Sequence, residues 1–160
     1  MRTLSCTVIV LLLSGLLLAQ APQPSAPAAA PDISGMYTFL RDGEFVQIDR
    51  DGSQIDGFIS RYGDSDSDRG AFLDHMMKSG TVQGDKLQFE TQTVHGVSYE
   101  FTGTVERGEG KQPGDEAYYV LKGTLKQVTE DANHNKTAKE RAVEFKSFPA
   151  DAGSDQPKKK

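Results

Sequence analysis

A strand with a glycine at its centre recurs along this chain. It reads Tyr99-Glu100-Phe101-Thr102-Gly103-Thr104-Val105 and again Tyr119-Val120-Leu121-Lys122-Gly123-Thr124-Leu125, with Gln54-Ile55-Asp56-Gly57-Phe58-Ile59 as a looser copy. In each copy one side of the alternation is apolar, and the glycine falls on that side. A strand buried on one face has this pattern. A glycine on the buried face removes a side chain and lets the sheet bend sharply. Several bent antiparallel strands predict a small barrel.

Eight strands are expected: Met36 to Leu40, Phe45 to Asp49, Gln54 to Arg61, Gly80 to Gln83, Lys86 to Thr93, Val97 to Arg107, Ala117 to Val128, and Glu140 to Phe148. Asp42-Gly43 and Asp51-Gly52 between alternating runs mark hairpins, because glycine tolerates positive φ. The inward face is expected to hold Leu87, Phe89, Thr91, Val97, Tyr99, Phe101, Val105, Tyr119, Leu121, Leu125, Val143 and Phe145. Glu100, Thr102, Glu106, Lys122, Lys126, Glu144 and Lys146 fall on the opposite face. One dry and one wet face indicate an antiparallel meander. The fold class is therefore all-β, an antiparallel up-and-down barrel of about eight strands, with a β-sandwich as the alternative.

One stretch breaks the alternation. Phe72, Leu73, Met76 and Met77 recur at three- and four-residue spacing, which predicts one short helix over 69–78. Lying between the third and fourth strands, that helix would plug one end of the barrel. It would either complete the core or form an adaptable, Met-lined gate.

The chain's 160 residues suit one domain. Arg2, the apolar run Val8 to Leu18 and Ala19-Gln20-Ala21 read as a secretory signal peptide over residues 1–21. The apolar run is shorter than the roughly 20 residues of a membrane span, so no stable span is expected after cleavage. Residues 22–31, rich in Pro and Ala, read as a stiff linker, residues 32–149 as the barrel domain, and residues 150–160 as a disordered tail. An exported chain is periplasmic or extracellular. The single cysteine, Cys6, leaves with the signal, so neither a disulfide nor a thiolate nucleophile is expected. The formal charge of −5 becomes −6 without Arg2, which argues against a nucleic-acid partner.

Ser34-Gly35-Met36-Tyr37-Thr38, the Asp-Gly hairpin after it, and the run Ile48 to Ile59 with two more glycines resemble the opening of a calycin barrel. Lipocalins and avidins begin with Gly-x-Trp on the first strand, and Tyr37 stands at the Trp position here. The resemblance implies an eight-stranded up-and-down barrel with one open end. It carries over no ligand residue.

For chemistry, Asp64-Ser65-Asp66-Ser67-Asp68-Arg69-Gly70 places oxygens at alternate positions, so Asp64, Asp66 and Asp68 are the candidate ligands for calcium. Arg69 stands where an EF-hand has its turn glycine, and His75 where it has its bidentate glutamate. The alternative is an acidic loop that caps the expected helix. His75, His95 and His134 form no zinc-type spacing, and no nucleophile elbow is present. An enzyme is thus the least supported class, and no cofactor other than calcium is indicated.

Tyr37, Phe39, Tyr99, Phe101 and Tyr119 are the candidate aromatic lining for a ligand inside the barrel, with Phe72 and Met76 contributed by the helix. Core filling is their commoner use. The two function classes are a non-catalytic binder of a small, partly apolar ligand and an envelope-associated interaction or inhibitor module. The second would use the outer surface and the loops Asp64–Gly70 and Thr129–Lys139.

Overall fold

A computed structural model describes residues 31–150. The expected signal peptide, nearly all of the linker and nearly all of the tail lie outside the described residues. Eight strands follow one another: β1 (Gly35–Thr38), β2 (Phe45–Asp51), β3 (Gln54–Tyr62), β4 (Phe72–Gln83), β5 (Lys86–Thr91), β6 (Val97–Arg107), β7 (Tyr119–Glu130) and β8 (Lys136–Lys146). They form one sheet in sequence order, with every neighbour antiparallel. The fold is the expected all-β meander, curled into a half-barrel rather than split into a sandwich. Gly43 and Gly52 turn their hairpins at φ of 83° and 61°.

The two edges of the sheet meet over a short stretch. Tyr37 bridges Ser147, the Phe148 amide donates to the Met36 carbonyl over 2.8 Å, and the Lys146 amide donates to Thr38 Oγ1 over 2.9 Å. Beyond that seam, β1 is too short to follow the eleven residues of β8.

The recurrent glycines explain the curl. Gly103 on β6 faces Gly123 on β7, flanked by Leu87 on β5 and Val143 on β8. A Cβ on Gly103 would sit 2.2 Å from the Lys122 carbonyl oxygen, and one on Gly123 would sit 2.3 Å from that of Thr102. The backbones approach closely here because no side chain stands between them. The tip of the Phe101 ring, its Cζ, occupies the space beside Gly103 instead.

The core runs along the concave side: Ile33, Tyr37, Phe39, Val46, Ile48, Ile55, Ile59, Met77, Val82, Leu87, Phe89, Tyr99, Phe101, Leu121, Leu125 and Phe145. Val97, Val105, Tyr119 and Val143 pack against it half-buried. Each large apolar side chain sealed there contributes roughly 1.5–3 kcal/mol. Phe101 is central, with Phe89 stacked at 5.3 Å and Phe145 at 5.7 Å.

The expected helix over 69–78 is a strand. Phe72 to Lys78 form the first half of β4, and there is no helix among the described residues. Phe72 and Met76 point outward, 51% and 47% exposed, while His75 and Met77 point into the core. A strand that is apolar on both faces mimics helical spacing. A bulge between Met77 and Ser79 then shifts the alternation by one residue, so that Gly80 and Val82 face inward. β8 also begins earlier than expected, at Lys136, and pairs with β7 through what the sequence presents as a polar loop. Among the described residues, no helix is long and apolar enough to cross a membrane.

Candidate functional site

Beyond the seam, where β8 has no strand neighbour on its outer side, the half-barrel has a mouth. A pocket of about 240 Å³ opens there. Leu40, Arg41 and Glu44 enter it from the β1–β2 hairpin, Arg61 from the end of β3, and Asp64 from the following loop. Tyr99 comes from β6, Gln127 from β7 and Arg141 from β8.

Arg61 continues the inward alternation of Ile55, Gly57 and Ile59, and so carries a guanidinium into the core with 3% exposure. Burying a charge is costly unless it is paired and hydrogen-bonded. Arg61 Nη1 donates to Asp64 Oδ2 over 2.8 Å and to the Tyr62 carbonyl over 2.9 Å. Arg61 Nε donates to His75 Nε2 over 3.1 Å. The guanidinium also stands 5.9 Å from the centre of the Tyr99 ring.

That geometry decides the state of His75. Its Nε2 accepts from Arg61, so the ring is neutral with its proton on Nδ1. Burial, followed by the Arg61 charge, pushes its pKa down to about 4. Nδ1 makes no hydrogen bond of good geometry, and the backbone of Gln92 and Val97 raises the pKa less than burial and Arg61 lower it. The ring meets Tyr99 edge-on at 5.2 Å. Burial raises the Tyr99 pKa to about 12, although Arg61 and Arg141 pull it the other way. Tyr99 is therefore a neutral phenol at the floor of the pocket.

Glu44 ties the hairpin to the sheet. It is buried and accepts from Arg41 Nε over 2.8 Å, from the Arg41 amide over 3.2 Å and from the Tyr62 amide over 3.0 Å. Arg41 also reaches Asp64 over 3.2 Å and the Tyr62 carbonyl over 2.9 Å. The hydrogen bond to Glu44 is the main cause of its raised pKa.

Arg141 differs from the other two arginines. Its Nη2 donates to Gln127 Oε1 over 3.2 Å, and its Nε is buried with no hydrogen-bond partner. Among the described residues it has no carboxylate partner. Three guanidiniums and two carboxylates share the pocket, which leaves one positive charge in excess. Such directional N–H donors are suited to holding a carboxylate-type anion.

The structure does not bring the seven expected ligand residues together. Tyr99 alone lines the mouth. Phe39 packs behind it, edge-on at 5.4 Å, and Phe101 lies deeper in the core. Tyr37 and Tyr119 sit at the opposite end, where they line a separate cavity of about 400 Å³ beside the seam. There the Tyr37 hydroxyl donates to the Ile33 carbonyl over 2.7 Å. Phe72 and Met76 are on the outside, so neither plugs nor gates the barrel.

The three expected calcium ligands each have a separate partner. Asp64 pairs with Arg61 and Arg41, and the exposed Asp66 pairs with Arg69. Asp68 accepts from the Ser65 amide and meets His95 Nδ1 at 2.8 Å, and the Ser65 side chain first, then His95, hold its pKa down to about 2. Among the described residues, no group of three or more His, Asp or Glu side chains is placed to hold a metal ion.

Arg61, Arg141, Glu44 and His75 were not singled out as site residues from sequence. Two of them were signalled by parity: Arg61 follows Ile59 on the inward side, and Arg141 precedes Val143 and Phe145 on theirs. No family model, curated protein or solved structure matches this chain.

Proposed function

We propose that this chain is an exported, non-catalytic binding protein, periplasmic or extracellular, that holds a small, partly apolar ligand at the mouth of its half-barrel. The supporting observation is the concentration of buried polar groups at one end of an otherwise apolar interior. A chain that needs only a core has no reason to bury Arg61, His75 and Glu44 together. Leu40 and the Tyr99 ring supply apolar wall, and the arginines, Gln127 and the Tyr99 hydroxyl supply polar contacts. Deeper space is taken by Phe39, Phe101 and Phe145. The pocket falls below the roughly 300 Å³ at which drug-sized sites begin, so the ligand is small. Native mass spectrometry of the protein from its own exported fraction tests this. A small-molecule mass lost on denaturation is expected, and a bare protein that also binds no small molecule added back would overturn the reading.

A second reading, an envelope-associated interaction module, is favoured by a different feature. Phe45, Phe58 and Tyr62, all half-buried, line the outer face of β2–β4 beside the exposed Phe72 and Met76. Apolar surface gathered on an outer face marks a contact site in many proteins. Cross-linking in the exported fraction through residue 72 or 76 should then trap a specific partner, and recovery of monomer alone would remove this reading.

A further inference from the structure

We infer that the ligand of the mouth is a monoanionic carboxylate, held by the guanidiniums of Arg61 and Arg141 with its apolar part against Leu40 and Tyr99. This inference rests on the small-ligand reading above and names the chemistry of its ligand.

Charge carries the first part of the argument. Glu44 and Asp64 are both engaged by Arg41, and Asp64 also by Arg61. Arg141 has only the neutral Gln127 amide as partner. One cation in the pocket therefore has no carboxylate of its own, and an opposite charge is favoured beside it. A single negative charge balances it. A dianion would leave the site with net negative charge beside Glu44 and Asp64.

Donor geometry carries the second part. Arg141 stands on the same face of β8 as Val143 and Phe145, while its neighbours Glu140 and Ala142 are exposed. Its Nε is buried with no acceptor, which a structure tolerates poorly unless an acceptor arrives. Arg61 Nη2 makes no hydrogen bond to the described residues, although its Nε and Nη1 are both engaged. Both arginines act on Tyr99 at the pocket floor. Planar guanidinium forks match a carboxylate, whose two oxygens take parallel N–H donors.

Calorimetric titration of the full chain with hexanoate, hexan-1-ol and acetate separates the alternatives. Hexanoate is expected to bind roughly tenfold or more tightly than hexan-1-ol, the range that charge-assisted hydrogen bonds supply. Arg141→Gln should remove most of that preference, while Arg141→Lys should retain part of it. Equal affinity for hexanoate and hexan-1-ol in the parent protein overturns the carboxylate assignment and leaves the small-ligand reading standing. Acetate binding as tightly as hexanoate supports the anion site but contradicts a partly apolar ligand. Binding of none of the three overturns the carboxylate assignment, and the mass of any ligand carried from the exported fraction then decides the small-ligand reading. The comparison of probes in the parent protein needs no variant, so it stands even if a substitution at Arg141 prevents folding.

Discussion

Arg61 Nε donates to Nε2 of His75 over 3.1 Å, with both side chains sealed from solvent. An arginine cannot give up its proton in a protein, so the histidine must stay neutral. The pair, with Asp74 and Tyr99 as the other titratable groups acting on or packed against His75, makes folding depend on pH. The His75 pKa is 6.5 without perturbation and about 4 in the fold. Between those values the unfolded chain binds the extra proton and the folded one does not, so stability rises with pH across the window. The contribution is fully present above 6.5 and is lost as pH falls towards 4. Asp68, held down to about 2, acts lower, between 3.8 and 2. Denaturant midpoints measured from pH 7 to pH 4 should fall, and His75→Gln should flatten that slope at a neutral-pH cost of roughly 1–3 kcal/mol. An unchanged slope in the variant would exclude His75 as the cause.

Glu44 joins the β1–β2 hairpin to β3 by accepting from Arg41 and the Tyr62 amide. Glu44→Ala strands the Tyr62 amide and releases the half-exposed Arg41, and is expected to cost roughly 1–3 kcal/mol in a chemical melt. Glu44→Gln keeps an acceptor and should cost distinctly less. Equal losses in the two variants would mean that packing, not hydrogen bonding, is what matters at this position.

Gly103 and Gly123 face one another across β6 and β7. A methyl group at Gly103 would meet the Lys122 carbonyl oxygen at 2.2 Å and the Phe101 ring at 2.7 Å. Backbone cannot yield as a flexible side chain does, so Gly103→Ala should destabilise by roughly 1–3 kcal/mol or more. Thermal unfolding measures this. Gly84→Ala is the control for loss of a turn glycine, because its added Cβ would meet nothing and only its φ of 62° is strained.

Phe101 and Phe72 are both aromatic strand residues, with opposite expected effects. Phe101→Ala removes a ring from the centre of the core and should cost roughly 3–5 kcal/mol. Phe72→Ser and Met76→Ser alter the outer face of β4 and should each stay within about 0.5 kcal/mol of the parent. A large loss at Phe72 would show that its contact with Tyr62, centroids 4.4 Å apart, is part of the structural core.

Strict alternation made the meander legible. Leu87, Phe89, Thr91, Tyr99, Phe101, Leu121, Leu125 and Phe145 were expected inside and are all buried. β4 was misread because its outer face is also apolar and its bulge breaks the period, leaving local spacing to imitate a helix. Of the mouth, Tyr99 was legible as an inward aromatic. Arg61 and Arg141 lay on inward parity without being recognised, since a charge on a dry face has meaning only once its partners are known.

The amino-acid order by itself determined the periodicity, the turn glycines and the glycine-centred bend, because these depend on neighbours in the chain. Which end opens, how β1 meets β8 at Tyr37 and Ser147, and which guanidinium is left without a carboxylate depended on the curl of the sheet into a half-barrel. Those relationships join residues as distant in sequence as Arg41 and Arg141, and only tertiary packing brings their charges into one pocket.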